Sequence, residues 1–160
     1  MPRTKNHWLL KSEPDVYSFD DLLAEANRTT VWDGVRNHQA KLFLRDGMRV
    51  GDGVLFYHSS CAEPGIYGLA EVARAGYPDP SQFDRASKYF DPKADPGSPT
   101  WSAVDVRAKR ALPRPVLLAD LRAEPRLVEM AVLRRGQRLS VQPVTPAEWK
   151  IVLELAGARA

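Results

Sequence analysis

The stretch GVLFYHSSCAEPGIYGLAEVARAGY, residues 53–77, decides the fold. Two runs rich in β-branched and aromatic residues, VLFYHS and GIYGLAEVARAGY, flank a short loop at 61–65 that contains Pro64. Runs of this kind, bounded by Gly, Pro and Ser, read as strands, and the short loop makes them an antiparallel pair. Apolar and polar groups alternate only loosely in VLFYHS, which predicts a strand buried on one face and partly on the other. Tyr57 and His58 then point to opposite faces, so at most one of them reaches a given pocket. WSAVDVRAKRAL, residues 101–112, predicts a third long strand with Val104 and Val106 on one face and Asp105 and Arg107 on the other.

Outward from this pair, HWLLK at 7–11 predicts a short strand ended by Pro14, which has no ladder donor to give. SFDDLLAEA opens a helix with Ser18 as N-cap and Asp20 and Asp21 in the first turn, where carboxylates favour the helix dipole. HQAKLFLRDG, residues 38–47, continues as a helix with Asp46-Gly47 as its stop, and short helical turns are expected at 119–121 and 127–133. RLSVQPV, residues 138–144, predicts a strand interrupted at Pro143, with Arg138, Ser140 and Gln142 alternating on one face and Leu139 and Val141 inward. TPAEWKIVLELAG then carries the clearest local signal. Thr145 is the N-cap, Pro146 takes the first helical position, and Glu148 completes a capping box. Trp149, Val152, Leu153 and Ala156 share one face of this C-terminal helix and read as core.

Strands and helices mix without steady βαβ alternation. That pattern indicates an α+β fold with a curved or barrel-like sheet. Between Tyr77 and Trp101 lies a long segment rich in Pro and Asp, a length that in compact domains marks a functional or mobile loop. Its aromatics, Phe83, Tyr89 and Phe90, are either pinned to the core or offered to a ligand.

The chain has 160 residues, 44% of them hydrophobic, which suits a single domain over 1–160 with a full core. One cysteine, Cys61, cannot form an internal disulfide, and no apolar run reaches the roughly 18 residues of a membrane span. The start MPRTKNHWLL lacks a signal-peptide pattern, so a cytoplasmic location is expected, or a nuclear one in a eukaryote. The formal net charge of +3 and pI of about 9.1 come with clusters of cations at Arg36/Lys41/Arg45, Arg107/Lys109/Arg110/Arg114 and Arg134/Arg135/Arg138. Each is either a solvated surface or part of a polyanion-binding face.

Enzyme signatures are missing. There is no G-x-S-x-G, Walker loop, G-x-G-x-x-G, H-E-x-x-H or paired C-x-x-C. His58 and Cys61, in HSSC, are too few for a metal site, and no cofactor or metal is expected. Glu13, Asp33 and Glu71 remain as acids or bases without assigned partners, so a small-molecule or modified-nucleoside-processing enzyme is the alternative to a binding role.

VWDGVRNHQAK, residues 31–41, packs an indole, a carboxylate, a guanidinium, an amide, an imidazole and an ammonium around Gly34. It is either a crowded polar surface or the wall of a site for something flat and hydrogen-bonding. Together with WLLKSEP (8–14), VGDGVLFYHSS (50–60), PGIYGLAEV (64–72), YFDPKAD (89–95), PTWSAVDV (99–106) and RLSVQPV, this segment resembles, in order, the EVE domain family. The resemblance implies a PUA-like mixed β-barrel flanked by short helices, with the C-terminal helix packed on it. It also implies kinship with YTH and ASCH domains and binding of modified bases, chiefly modified cytosines in DNA. Lys11-Ser12, Val31-Trp32 and Gly68-Leu69-Ala70-Glu71 are similar to YTH motifs, in which the tryptophan belongs to an aromatic cage around a methylated base. The sequence departs from the family at His38, where an aromatic residue is usual.

On that footing the expected partner is DNA or RNA carrying a modified base, met by a monomer. Trp32 would be the stacking clamp, or else a core residue. Asn37 would read a base edge bidentately, and Asp33 or Glu13 would accept from an exocyclic amine. Ser12, Ser59 or Ser140 would supply a hydroxyl, and Tyr57 would join the pocket. Lys11, Arg36, Lys41, Arg45 and Arg138 would contact phosphates, unless Arg36 pairs with Asp33 across the turn.

Overall fold

The structure, a computed structural model, describes residues 5–158; the first four residues of the MPRTKNHWLL start, and the two ends of the expected 1–160 domain, lie outside them. Six strands form one mixed sheet: β1 (His7–Ser12), β2 (Thr29–Trp32), β3 (Gly53–His58), β4 (Gly65–Pro78), β5 (Ser102–Leu117) and β6 (Val141–Val144). Their hydrogen-bonded order is β2-β5-β4-β3-β1-β6. β3 and β4 are the antiparallel pair that residues 53–77 predict, with Val54 opposite Ala70 and Tyr57 opposite Ile66. β1 runs parallel to β3, and every other neighbouring pair is antiparallel.

The long strands β4 and β5 stay paired by bending. Their register shifts four times, between Ile66 and Gly68, Leu69 and Ala70, Val72 and Arg74, and Arg74 and Tyr77. Each such bulge bends the strand and strengthens local twist. The sheet consequently curls, and its two faces bury different cores. Trp8, Leu10, Phe19, Trp32, Val54, Phe56, Val104 and Val106 fill the inner face. Leu9, Leu55, Ile66, Leu121, Leu127, Val152 and Leu153 pack on the outer face. β3 is therefore buried at every position, on both faces where the sequence pattern predicts one and a part.

Four short helices flank the sheet: α1 (Phe19–Ala24), α2 (His38–Leu42), α3 (Leu118–Ala123) and α4 (Pro146–Ala156). Capping explains where they start. The Ser18 hydroxyl accepts from the Asp21 N–H at 3.1 Å while the Asp21 carboxylate accepts from the Ser18 N–H at 2.8 Å. Thr145 and Glu148 make the same reciprocal pair at the head of α4, which ends at Gly157 in the left-handed region. α2 leads into a π-helical turn, Phe43–Gly47, rather than running straight to its predicted stop.

Two further expectations change, and one strand is added. β2 is a strand, although two threonines and polar neighbours conceal its pattern. β6 runs through Pro143, which an edge strand with one free side tolerates. Gln142 does not share an outward face with Arg138 and Ser140; it is buried, and its amide donates to the Leu139 carbonyl at 2.9 Å.

Candidate nucleic-acid interface

β2 and β6 lie at opposite ends of the hydrogen-bonded order, yet residues beside both line one cavity of about 720 Å³. The cavity occupies the seam where the end of β1 and the segment leading into β6 come near β2. Lys11 and Ser12 at the end of β1, with Glu13, Val16 and Tyr17 beyond it, form one wall, and Arg138 and Ser140 before β6 extend it. Thr30, Val31 and Trp32 of β2 line it as well, and the lining continues through Asp33, Gly34, Val35, Arg36 and Asn37. Lys88 and Tyr89, from the long loop between β4 and β5, complete the lining.

Trp32 satisfies both of the readings its sequence leaves open. It borders the cavity, but it is only 8% exposed and stands edge-on to Phe56 with centroids 5.5 Å apart, so it belongs to the inner core. Asp33 sits at the mouth, where partial burial and then the nearby Asp79 charge push its carboxyl above the usual range. Glu13, Ser140 and Arg138 border the cavity as well.

Several expected roles are corrected by the hydrogen bonds already made. Asn37 caps α2, its Oδ1 accepting from the N–H groups of Gln39 and Ala40 at 2.9 and 3.0 Å. With its acceptor engaged, it offers only its NH2 and cannot read a base edge bidentately as donor and acceptor. The Ser12 hydroxyl donates to the Tyr17 carbonyl at 2.6 Å, which leaves it as an acceptor. Tyr57 is buried in the outer core, and Ser59, whose N–H donates to the Ser12 carbonyl, is also outside the cavity lining. Lys11 borders the cavity, but its ammonium lies 5.8 Å from the centroid of Tyr57, on the outer face. Lys41 sits over Trp101 and Arg45 pairs with Asp46 in solvent, and neither lines the cavity.

Arg36 is the largest correction. Its partner is Asp79, not Asp33, at 2.9 Å. The same guanidinium donates to the Ser81 hydroxyl at 3.1 Å and to the Tyr89 carbonyl at 2.7 Å, and it lies 5.6 and 5.2 Å from the ring centroids of Tyr89 and Trp101. A fork used this fully is a fastener rather than a free phosphate ligand. Asp79 is fully buried and also accepts from the Gly34 N–H at 2.9 Å and from the Ser81 N–H and hydroxyl at 2.8 and 2.6 Å. Burial pushes its carboxyl up, but the bonds from Ser81, Gly34 and Arg36 outweigh burial and hold it below the usual carboxylate range.

This arrangement orders the long loop. Gln82, also fully buried, donates to the carbonyls of Asp79 and Trp101 and accepts from the N–H groups of Thr100 and Trp101. Gly34 has φ of +76° and lies against the Tyr89 ring so closely that a Cβ would come within 2.5 Å of it. Tyr89 is thus both pinned and part of the wall. Tyr89 is one of the loop aromatics the sequence marks as pinned or ligand-facing, whereas Asp79 and Lys88 carry no site signal in it; the pair Asp79-Pro80, an N-cap followed by a proline start, is the local cue at Asp79.

Of the three acids left without partners, Glu71 pairs with Arg107 at 2.7 Å, whereas Glu13 and Asp33 border the cavity. His58 Nε2 accepts from the Phe19 N–H at 3.1 Å and its ring stacks on Tyr67. Among the described residues no three His, Cys, Asp or Glu converge to hold a metal ion, and no helix is long and apolar enough to cross a membrane.

The family model of the EVE domain matches residues 6–155. The chain belongs to the EVE domain family. Human thymocyte nuclear protein 1 is 41% identical over 94% of this EVE chain and 73% of its own length. The crystal structure of human THYN1 protein in complex with DNA containing 5-methylcytosine superposes with a TM-score of 0.90 at 40% identity, covering 98% of this chain and all of that one. The YTH domain of Zygosaccharomyces rouxii MRB1 protein shares the PUA-like fold, with a TM-score of 0.55 at 15% identity, covering 99% of this chain and 88% of that one. In this EVE domain the departure at His38 keeps a ring contact: the imidazole stacks on Trp101, centroids 4.8 Å apart and planes 27° from parallel.

Proposed function

We propose that the protein is a non-catalytic reader of DNA that seats a modified cytosine in the seam between β2 and β6 and acts as a monomer. The observation that carries this reading is the seam cavity itself, in a chain 40% identical to a protein crystallised with 5-methylcytosine DNA. A volume of about 720 Å³ leaves room for an extruded base and part of its sugar. Trp32 offers an apolar wall, and contact between a base and an aromatic ring contributes roughly 1–3 kcal/mol. Asp33 and Glu13 are acceptors suited to the exocyclic amine of cytosine, and Ser12 accepts beside them. Lys88 and Arg138 supply the positive charge at the mouth that a phosphate backbone requires.

The test is a fluorescence titration with matched DNA and RNA oligonucleotides that differ at one base. Cytosine is compared with its 5-methyl and 5-hydroxymethyl forms, and adenine with N6-methyladenine. A preference for modified cytosine in DNA, reduced about tenfold by Asp33→Asn as expected for one lost base-edge contact, supports the reading. Equal, steeply salt-dependent binding to every oligonucleotide overturns it. Preference for a modified base in RNA transfers the reading to that polymer, and conversion of the base during incubation would identify an enzyme.

A further inference from the structure

Two exposed apolar side chains stand on the rim of the cavity. Val16 is 57% exposed and Val31 is 40% exposed, and both belong to the lining; the other large exposed apolar residues among those described, Leu42, Val50 and Val128, lie elsewhere. A single exposed valine is ordinary. Two on the lining of one cavity make its exposed edge partly apolar.

The segment that carries Val16 is stiff. The Glu13 carbonyl accepts from the N–H groups of Val16 and Tyr17 at 2.9 and 2.8 Å, and the Ser12 hydroxyl closes on the Tyr17 carbonyl. Pro14 fixes a further backbone angle, and Tyr17 packs against the inner core. Val16 is therefore a knob on a braced turn.

The charges around it are sorted. Lys88, Arg138 and Glu13 border the cavity, whereas Asp15, exposed on the same turn, lies outside its lining. Carboxylates repel phosphates but accept N–H groups, so the turn suits base edges and the cations suit the backbone. Extruding a base from a duplex exposes the apolar faces of its neighbours and leaves its partner unpaired. For cytosine that partner is guanine, whose pairing edge is rich in N–H donors. Apolar side chains are known occupants of opened base steps.

We infer that residues 13–17 meet duplex DNA at the vacated step, with Val16 and Val31 against the opened stack and the Asp15 carboxylate of the turn toward the orphaned guanine. This inference rests on the proposed reading and adds that the substrate is double-stranded. It is tested by binding of wild type and Val16→Ala/Val31→Ala to three probes: a duplex with 5-methylcytosine opposite guanine, the same duplex with an abasic site opposite, and the single strand. Both valines are exposed, so folding is retained, as circular dichroism will verify.

The expected result is a loss on both duplexes at least tenfold greater than any loss on the single strand, because the opened stack is also present opposite an abasic site. Equal losses on duplex and single strand, or no loss on the duplex, would overturn the inference. If wild type shows no preference for 5-methylcytosine on either the single strand or the duplex, the base reading itself fails. A preference kept on single strands while the variant binds the duplex like wild type overturns the knob alone.

Discussion

Replacing Arg36 by Met should unfasten the long loop from the β2 segment. The substitution keeps an unbranched apolar stem but removes the guanidinium that bonds Asp79, Ser81 and the Tyr89 carbonyl. Breaking a buried ion pair by deleting one partner costs about 3–5 kcal/mol when both charges are fully buried. Here the Asp79 side chain is inaccessible, the Arg36 side chain is 24% exposed, and Asp79 keeps the donors of Gly34 and Ser81. The loss should therefore sit at the lower end, about 3 kcal/mol, which for a chain of this length is a drop in Tm of roughly 6–12 °C. Arg36→Lys should recover only part of it, because an ammonium lacks the planar fork. pH supplies a second readout. The Asp79 carboxyl is held below its ordinary value of 3.8 when folded, so its contribution to stability is full above that value and fades as pH falls through the folded pKa. In Arg36→Met the folded pKa rises, and the acid loss should begin at higher pH. Urea or thermal unfolding across pH 3–7 measures both. A variant that melts with wild type yet loses oligonucleotide affinity would refute this reasoning and return Arg36 to the free cations.

Trp32→Ala should cost about 3–5 kcal/mol in urea unfolding, since the indole is in the inner core, whereas Trp32→Phe should stay folded and lose mainly oligonucleotide affinity. Gly34→Ala should displace Tyr89 and destabilise by about 1–3 kcal/mol, through both the positive φ and the close ring; an unchanged Tm would show that the contact yields freely. Burial lowers the pKa values of His58 and His7 in the folded state, so the unfolded chain binds more protons as pH drops below about 6.5 and stability should fall with it. His58→Gln should flatten part of that slope between pH 7.5 and 5, and a slope identical to wild type would place the titration elsewhere.

What local rules govern was legible. Ser18, Thr145, Pro146 and Glu148 mark helix starts through bonds that span three residues, and the structure makes those bonds. The β3–β4 pair is likewise written in alternation and a short loop. The organisation of the site was not, because its central bond joins Arg36 to Asp79 across 43 residues. Arg36 has an acidic neighbour at Asp33, and nothing in the sequence ranks that nearer carboxylate below a distant one. The capping role of Asn37 is legible locally, since Asn before a helix is a common N-cap, and that role competes with base-edge reading for the same amide oxygen. β2 was hidden for another reason: Thr29, Thr30 and Val31 are only partly buried or exposed on an edge strand, so hydrophobic alternation has little to record.

The seam between β2 and β6 has no ladder of its own among the described strands, so its aperture is an accumulated angle. Five successive pairings separate its two lips, each adding a twist of roughly 20°. A small change at one bulge is therefore delivered, with leverage, as a displacement at the opening. Gly68, at the bulge of β4 where a Cβ would strike the Phe19 ring, sets such an angle without touching the cavity. The width of the opening thus depends on the bends of the sheet as well as on the side chains around it.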